Sequence, residues 1–337
     1  MRKEEKMAYI AGLIDGDGSI SLIKRSDKKC LSPLYYPSIQ LSKSTPLLAD
    51  FLHESFGGYK QHVQRDAKKP EYKWRLERVS NVMPLLENIT PYLCAKKRQA
   101  ELIIEYAKKW NPSSGSRPID GEVLFYRESV HQKIKQLNAK RDMKEQITAS
   151  KEVKMVPYFW AYLAGLIDTD GSFSIKKEKT GAYSASILLS LMNVNPLSLI
   201  QKNCKYGSVF LVKSPQTKQK FYYRFGVYNR KKAIEVIKKL LPYLMHKREQ
   251  ALILLKFCEG YVAQNGLYKK TEEQQVFREK CYQELIKLNY GVYKPSLMDL
   301  KPLPGSAGGD KAEAGVKLGT VNVVSERAPL KDGDAEL

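Results

Sequence analysis

The sequence predicts an α+β chain built from two pseudo-symmetric αββαββα repeats, each an antiparallel four-stranded sheet backed by helices, joined at a central helix pair. Three observations carry this expectation. The stretch Ala8-Tyr9-Ile10-Ala11-Gly12-Leu13-Ile14-Asp15-Gly16-Asp17-Gly18-Ser19 recurs nearly unchanged as Ala161-Tyr162-Leu163-Ala164-Gly165-Leu166-Ile167-Asp168-Thr169-Asp170-Gly171-Ser172. Each copy reads as an apolar helix that stops at a glycine and runs directly into a strand. The segments after each copy also repeat, Pro91-Tyr92-Leu93 being matched by Pro242-Tyr243-Leu244.

In chain order, Ser19–Lys24 and Leu34–Leu41 read as strands around the polar run at 24–29, with Ile20, Leu22, Ile39 and Leu41 alternating with serines and Gln40. Residues 46–56 read as a helix broken by Gly57-Gly58, and strands at 59–65 and 72–79 flank a turn at 66–70. Helices follow at 82–89 and 95–110, separated at Pro91. The second copy retraces this path with strands at 183–191, 209–213 and 221–228. One face of each sheet should be apolar and covered by helices, the other polar and open, less so in the second sheet. The expected organisation is a first repeat over 1–110, a linker containing the amphipathic helix Gly121–Asn138 over 111–156, a second repeat over 157–300 closed by a helix at 272–288, and a disordered tail over 301–337.

Composition narrows the partner. The net charge is +21, while residues 301–337 hold five Lys/Arg against six Asp/Glu, so the folded part is the basic part. An excess of this size is the footprint of a phosphate polyanion, far beyond what solubility requires. Five scattered cysteines and four histidines, with no Cys-x-x-Cys pair, indicate neither a zinc site nor a disulfide framework, and fit a reducing, intracellular compartment. No apolar run reaches membrane-spanning length, and the N-terminal Met1-Arg2-Lys3-Glu4-Glu5-Lys6 has no secretory pattern, so no membrane association is expected.

The motif's acids fall at a helix C-terminus, where the macrodipole disfavours anions, so something must compensate. A hard divalent cation such as Mg²⁺, held between Asp17, Asp170 and the last carbonyls, would do so. The small residues Ala8, Gly12, Ala161 and Gly165, at i, i+4 spacing, would let the two helices approach closely and bring both acids to one point on a pseudo-two-fold axis. The plainer reading is a structural helix–strand turn used twice, with Asp15 and Asp168 as caps or ion-pair residues.

The duplicated motif resembles that of the LAGLIDADG homing endonucleases in their monomeric two-motif form, over roughly residues 5–290. The resemblance implies that Asp17 and Asp170 bind the metal with the carbonyls of Gly16 and Thr169, while Asp15 and Asp168 are structural. It implies further catalytic groups at the end of the second strand of each repeat, Lys43 and Asn193, and at the start of the last long helix, Lys96 and Lys247. The plain alternative for the latter pair is a solvated helix start. The mismatch of Lys43 with Asn193 suggests unequal cutting of the two strands.

Antiparallel ribbons can read the major groove. By alternation, Ser21, Arg25, Ser38, Gln40, Gln61, Lys73 and Arg75 in the first sheet, and Ser174, Lys176, Ser186, Ser190, Tyr222 and Arg224 in the second, fall on or near the DNA-facing side. Arg75 and Arg224 coincide when the repeats are aligned by sequence. The expected function is site-specific cleavage of both strands of a long, partly palindromic duplex, leaving short 3′ overhangs, in intron mobility, by a monomer using Mg²⁺. Mn²⁺ would substitute, and Ca²⁺ would support binding without cleavage. The compartment would be an organelle if the host intron is organellar, and otherwise the cytoplasm or nucleoid. Two rival readings share the scaffold: an RNA maturase for group I introns, with intron RNA as partner, and a DNA-binding regulator. The chain's ends lack the residues of protein splicing, so an intein is not expected.

Overall fold

The structure is a computed structural model that describes residues 1–26, 32–64, 70–109, 119–139, 158–213, 221–262 and 271–290. The linker positions 110–118 and 140–157, the turn at 65–69 and the tail therefore lie outside the described residues.

The first repeat comprises α1 (Lys3–Gly16), β1 (Gly18–Arg25), β2 (Leu34–Lys43), α2 (Leu47–Phe56), β3 (Tyr59–Val63), β4 (Glu71–Glu77), α3 (Val79–Ile89), a 3₁₀ turn at Thr90–Tyr92, and α4 (Lys97–Lys108), followed by α5 (Gly121–Asn138). The second comprises α6 (Phe159–Asp170), β5 (Gly171–Lys177), β6 (Tyr183–Leu191), α7 (Val194–Asn203), β7 (Ser208–Lys213), β8 (Phe221–Val227), α8 (Arg230–Leu240), α9 (Arg248–Val262) and α10 (Glu272–Tyr290). The sheets are antiparallel and ordered β1-β2-β4-β3 and β5-β6-β8-β7, so the expected pair of four-stranded sheets is present.

Helices α1 and α6 are not amphipathic. Met7 through Asp15 and Ala161 through Thr169 are buried on every side, as befits helices enclosed by their own repeat and by each other. Glu5 opens α1 by accepting the Arg2 N–H at 2.8 Å. At the crossing the backbones touch: a Cβ on Gly12 would lie 2.1 Å from the Tyr162 carbonyl oxygen, and one on Gly165 would lie 2.1 Å from that of Tyr9. Only glycine allows this approach.

The helix-covered face of the first sheet carries Ile20, Leu22, Ile39, Leu41, Trp74 and Leu76, and that of the second carries Phe173, Ile175, Ile187, Leu189, Phe225 and Val227, all buried. The helix expected within the linker lies against β1 and α4, and its contacts match those of α10 against β5 and α9. Glu128 accepts from Lys24 and Tyr35 just as Glu279 accepts from Lys177 and Tyr183. Asn138 and Asn289 donate to the edge-strand carbonyls of Ile20 and Phe173 at 2.9 and 3.0 Å. The β1 edge of one sheet and the β5 edge of the other are thus covered, which blocks pairing with another chain there.

Replacing Gly12 or Gly165 with Ala should cost more than the roughly 1–3 kcal/mol usual for overpacking, since backbone rather than a yielding side chain opposes the methyl group. Gly121→Ala, with open space around it, should be nearly neutral. Urea denaturation of the three variants checks this; a Gly12→Ala variant as stable as its parent would mean that the helices pack otherwise.

Candidate active site

Because α1 and α6 cross so closely, both C-termini arrive together. A Cβ on Gly16 would meet Thr169 Oγ1 at 2.0 Å and Asp170 Oδ2 at 3.2 Å. Four acids gather at this point, and they divide into two kinds.

Asp15 and Asp168 are buried and saturated. The Asp15 carboxylate accepts from the backbone N–H groups of Cys94, Ala95 and Lys96 at 2.6, 3.0 and 2.8 Å, and from Tyr162 Oη at 2.8 Å. Asp168 accepts from Met245 N at 2.8 Å, Lys247 N at 2.7 Å and Tyr9 Oη at 2.6 Å. Each acid therefore fixes the turn that enters the last long helix of its own repeat, and each is held by a tyrosine from the other repeat. Each also lies near the N-terminal end of another helix, where negative charge is favoured.

Asp17 and Asp170 are the other kind. Asp17 is about one-third exposed and ion-paired with Lys43. Asp170 is half-buried, and no hydrogen-bond donor meets its carboxylate among the described residues. Burial pushes its pKa up, against the opposing charges of Lys43, Lys247 and Lys96.

The compensation expected from a cation at the helix ends is supplied by lysines. Lys96 Nζ donates to the carbonyls of Ile14, Asp15 and Gly16 at 2.8, 2.7 and 3.2 Å. Lys247 Nζ donates to those of Ile167, Thr169 and Gly171 at 2.8, 3.1 and 2.6 Å. Neither is a solvated helix start. Burial lowers the pKa of Lys96, and it brings Lys247 down to about 8, with the charge of Lys43 adding to the effect. Lys43, on the helix-covered face at the end of β2, reaches across to the Thr169 carbonyl at 2.7 Å, and burial lowers its pKa too.

Asn193 does not correspond to Lys43. The ladders align Gly18 with Gly171 and Leu41 with Leu189, which makes Leu191 the counterpart of Lys43. Counting back from Pro46 and Pro196 misleads because Pro46 precedes α2, three residues beyond Lys43, whereas Pro196 lies inside α7, five residues beyond Leu191. Asn193 instead caps α7, its Oδ1 accepting from Asn195 N at 2.9 Å. It does line a cleft of about 650 Å³ beside Asp170, together with Lys96–Gln99, Leu137–Ala139 and Ser190–Met192.

All thirteen residues expected to face DNA lie on the open sides of the two sheets, with Gln40 opposite Arg75, Gln61 opposite Lys73, and Ser190 opposite Arg224. Two expectations change. Ser38 is only 4% exposed, enclosed between neighbouring strands. Arg75 and Arg224 are not equivalent: the ladders match Arg224 with Lys73, and Arg75 with Gly226. Arg75 is exposed, 3.5 Å from Glu77. Arg224 is held by Ser190 Oγ at 3.2 Å and Tyr222 Oη at 2.7 Å. Tyr9 and Tyr162, which sequence reasoning passed over, stand at the same place in both copies, and that coincidence was the available signal.

Residues 163–261 match the family model described as LAGLIDADG endonuclease. The motif within that match is the one repeated at residues 8–19, on a helix pair of the same construction. The second half of the chain is thus similar to the LAGLIDADG endonucleases, and the first half carries the same motif. Solved LAGLIDADG homing endonuclease structures share its fold over 83–84% of the chain. I-LtrWI bound to target DNA superposes with a TM-score of 0.63 at 15% identity, covering 84% of this chain and 98% of that one. I-SmaMI, bound to an uncleaved DNA target in the presence of calcium ions, gives 0.59 at 17% identity, with 83% and 98% covered. I-GzeII in complex with its DNA target gives 0.58 at 16% identity, with 84% and 97% covered. None of the curated proteins matches the sequence. No described helix is long and apolar enough to cross a membrane.

The buried lysine makes a prediction about pH. The native Lys247 ammonium loses its proton near pH 8, whereas in the unfolded chain it does so near 10.5. Between these values the unfolded state binds more protons, so this group's contribution to stability rises with pH across that window. Relative to Lys247→Met, the parent should gain up to about 3 kcal/mol from pH 7 to pH 10. Urea denaturation of both proteins over a pH series measures it; a difference that does not change with pH would put the ammonium in water.

Proposed function

We propose that this chain is a site-specific DNA endonuclease that hydrolyses both strands of a long, partly palindromic duplex in intron mobility, leaving short 3′ overhangs. The observation that carries this reading is the pair Asp17 and Asp170, brought together at the crossed helix ends and flanked by two open sheet faces. The fold relatives bound to DNA, and the basic charge of the chain, support it.

The donor set suits a hard divalent cation. Asp170 is a half-buried carboxylate that no described donor meets, and Asp17 is the accessible acid of the other repeat. Among the described residues no group of three or more His, Cys, Asp or Glu is placed to hold a metal ion, so the remaining ligands would be water, the phosphate itself and the carbonyls of Gly16 and Thr169, which in this structure accept from Lys96 and from Lys43 and Lys247. A bound divalent cation such as Mg²⁺ would supply Lewis acidity at the scissile phosphate and activate a water molecule. The chain's own contribution is positional and electrostatic. Lys96 and Lys247, each locked onto the carbonyls of its own repeat's first helix, keep positive charge beside each acid without reorganising during the reaction. Lys43 bridges the two halves and holds Asp17. The two open faces would lie along the duplex on either side of this centre, and Arg75 and Gln40 would read base edges where the groove is accessible.

Replacing Asp17 or Asp170 with Asn should reduce cleavage by several orders of magnitude while binding to a selected target in Ca²⁺ stays within a few-fold of the parent. Plasmid cleavage in Mg²⁺ and gel-shift titration in Ca²⁺ separate the two effects. Loss of binding in step with cleavage would make these acids structural.

A further inference from the structure

The two open faces follow one backbone plan but carry different chemistry at equivalent ladder positions. Where the first sheet has Gln40, Gln61 and Arg75, the second has Leu188, Phe210 and Gly226. The missing side chain at Gly226 is functional in shape. A Cβ there would point to the open side and meet the Tyr228 ring at 2.6 Å, so the ring lies across the strand at this position. Tyr228 and Phe210 are 55% and 37% exposed, and their rings form an edge-to-face pair with centroids 6.3 Å apart. Beside them, the Arg224 guanidinium is stacked over Tyr222 at 5.3 Å and held by two hydroxyls. Three groups that could exchange hydrogen bonds with a base in one half are thus replaced in the other by an exposed apolar surface fixed to a rigid sheet.

In the major groove only one apolar feature distinguishes base pairs, the 5-methyl group of thymine. Taking the open faces as the DNA surface, on which this inference rests, we propose that Phe210 and Tyr228 make their part of the second sheet a reader of thymine methyl groups, where Gln40, Gln61 and Arg75 of the first sheet read donors and acceptors. The half-sites are then distinguished by the kind of contact as well as by sequence. RNA, whose uracil lacks that methyl group, is disfavoured on the same surface.

The test uses the full chain. A bound site is selected from a randomised duplex library in Ca²⁺, and the half-site of the second sheet is identified as the one whose base preferences relax in Tyr228→Ser. Thymines of each half-site are then replaced in turn by deoxyuridine, which preserves pairing and removes only the methyl group. Deoxyuridine in the second half-site should weaken binding about fourfold for each contacted methyl. In the first half-site it should change affinity less than twofold. Phe210→Gln, which installs the residue found at the equivalent position 61, should abolish the deoxyuridine effect. Three results overturn the inference: equal sensitivity of both half-sites, a second half-site without thymine, or no relaxation in Tyr228→Ser. Failure to enrich any duplex would instead remove the DNA reading itself, and this inference with it.

Discussion

The contact on which the rest of the structure depends is the backbone crossing at Gly12 and Gly165. No side chain sets the separation of the two helices; carbonyl oxygens meet α-carbons, and the distance between the repeats is fixed by covalent geometry. Four residues further on, the helix ends are still in contact, and there the two-fold symmetry breaks. Gly16 in one helix faces Thr169 in the other, whose hydroxyl bonds back to the Gly165 and Leu166 carbonyls at 3.2 and 2.9 Å. Two glycines would leave a gap and two threonines would collide. One of each closes the end of the pair and brings Asp17 and Asp170 to the same place.

A charge exchange between helix ends stabilises what this crossing creates. Anions are disfavoured at a helix C-terminus and cations at an N-terminus. Asp15 and Asp168, emerging from C-termini, turn toward the starts of α4 and α9, while Lys96 and Lys247, emerging from those starts, turn back onto the carbonyls of α1 and α6. Every charge ends at the helix pole that favours it. The tyrosine bonds cross between repeats, so breaking the helix pair would also leave two buried carboxylates short of a donor, at about 1.5–3 kcal/mol for each lost bond to a charged group.

Most of this was legible in the sequence. The glycines at helical spacing, the doubled acids and the strand alternation led to the helix pair, the sheets and the open faces. Lys96 and Lys247 were located from Pro91 and Pro242, because the segment from proline to lysine has equal length in both halves. Asn193 was misplaced because Pro196 lies inside α7 whereas Pro46 precedes α2, and Arg224 was mispaired with Arg75 because only the ladder fixes which side chains are equivalent. Alternation places a residue on a face but cannot say which cross-strand neighbour it meets. The role of α5 was legible but unread: Arg127-Glu128, Gln132 and Leu137-Asn138 recur as Arg278-Glu279, Gln283 and Leu288-Asn289, at the same spacing.

Among the described residues Lys43 is the one ammonium at the centre without a counterpart, and electrostatics explains why one is enough. It lies close enough to both helix ends to pair with Asp17 and to donate to the Thr169 carbonyl of the other repeat. Its charge already helps to lower the pKa of Lys247. A lysine in place of Leu191 would set a fourth buried ammonium against four carboxylates, two of them already saturated by backbone N–H groups and tyrosines. The added charge would come with full desolvation and no free partner except Asp170, which would then be closed to a cation. Leu191 keeps that carboxylate open. The asymmetry between Lys43 and Leu191 therefore leaves one acid paired and the other available, and this difference would separate the behaviour of the two halves at the centre, as the sheet faces separate it along the duplex.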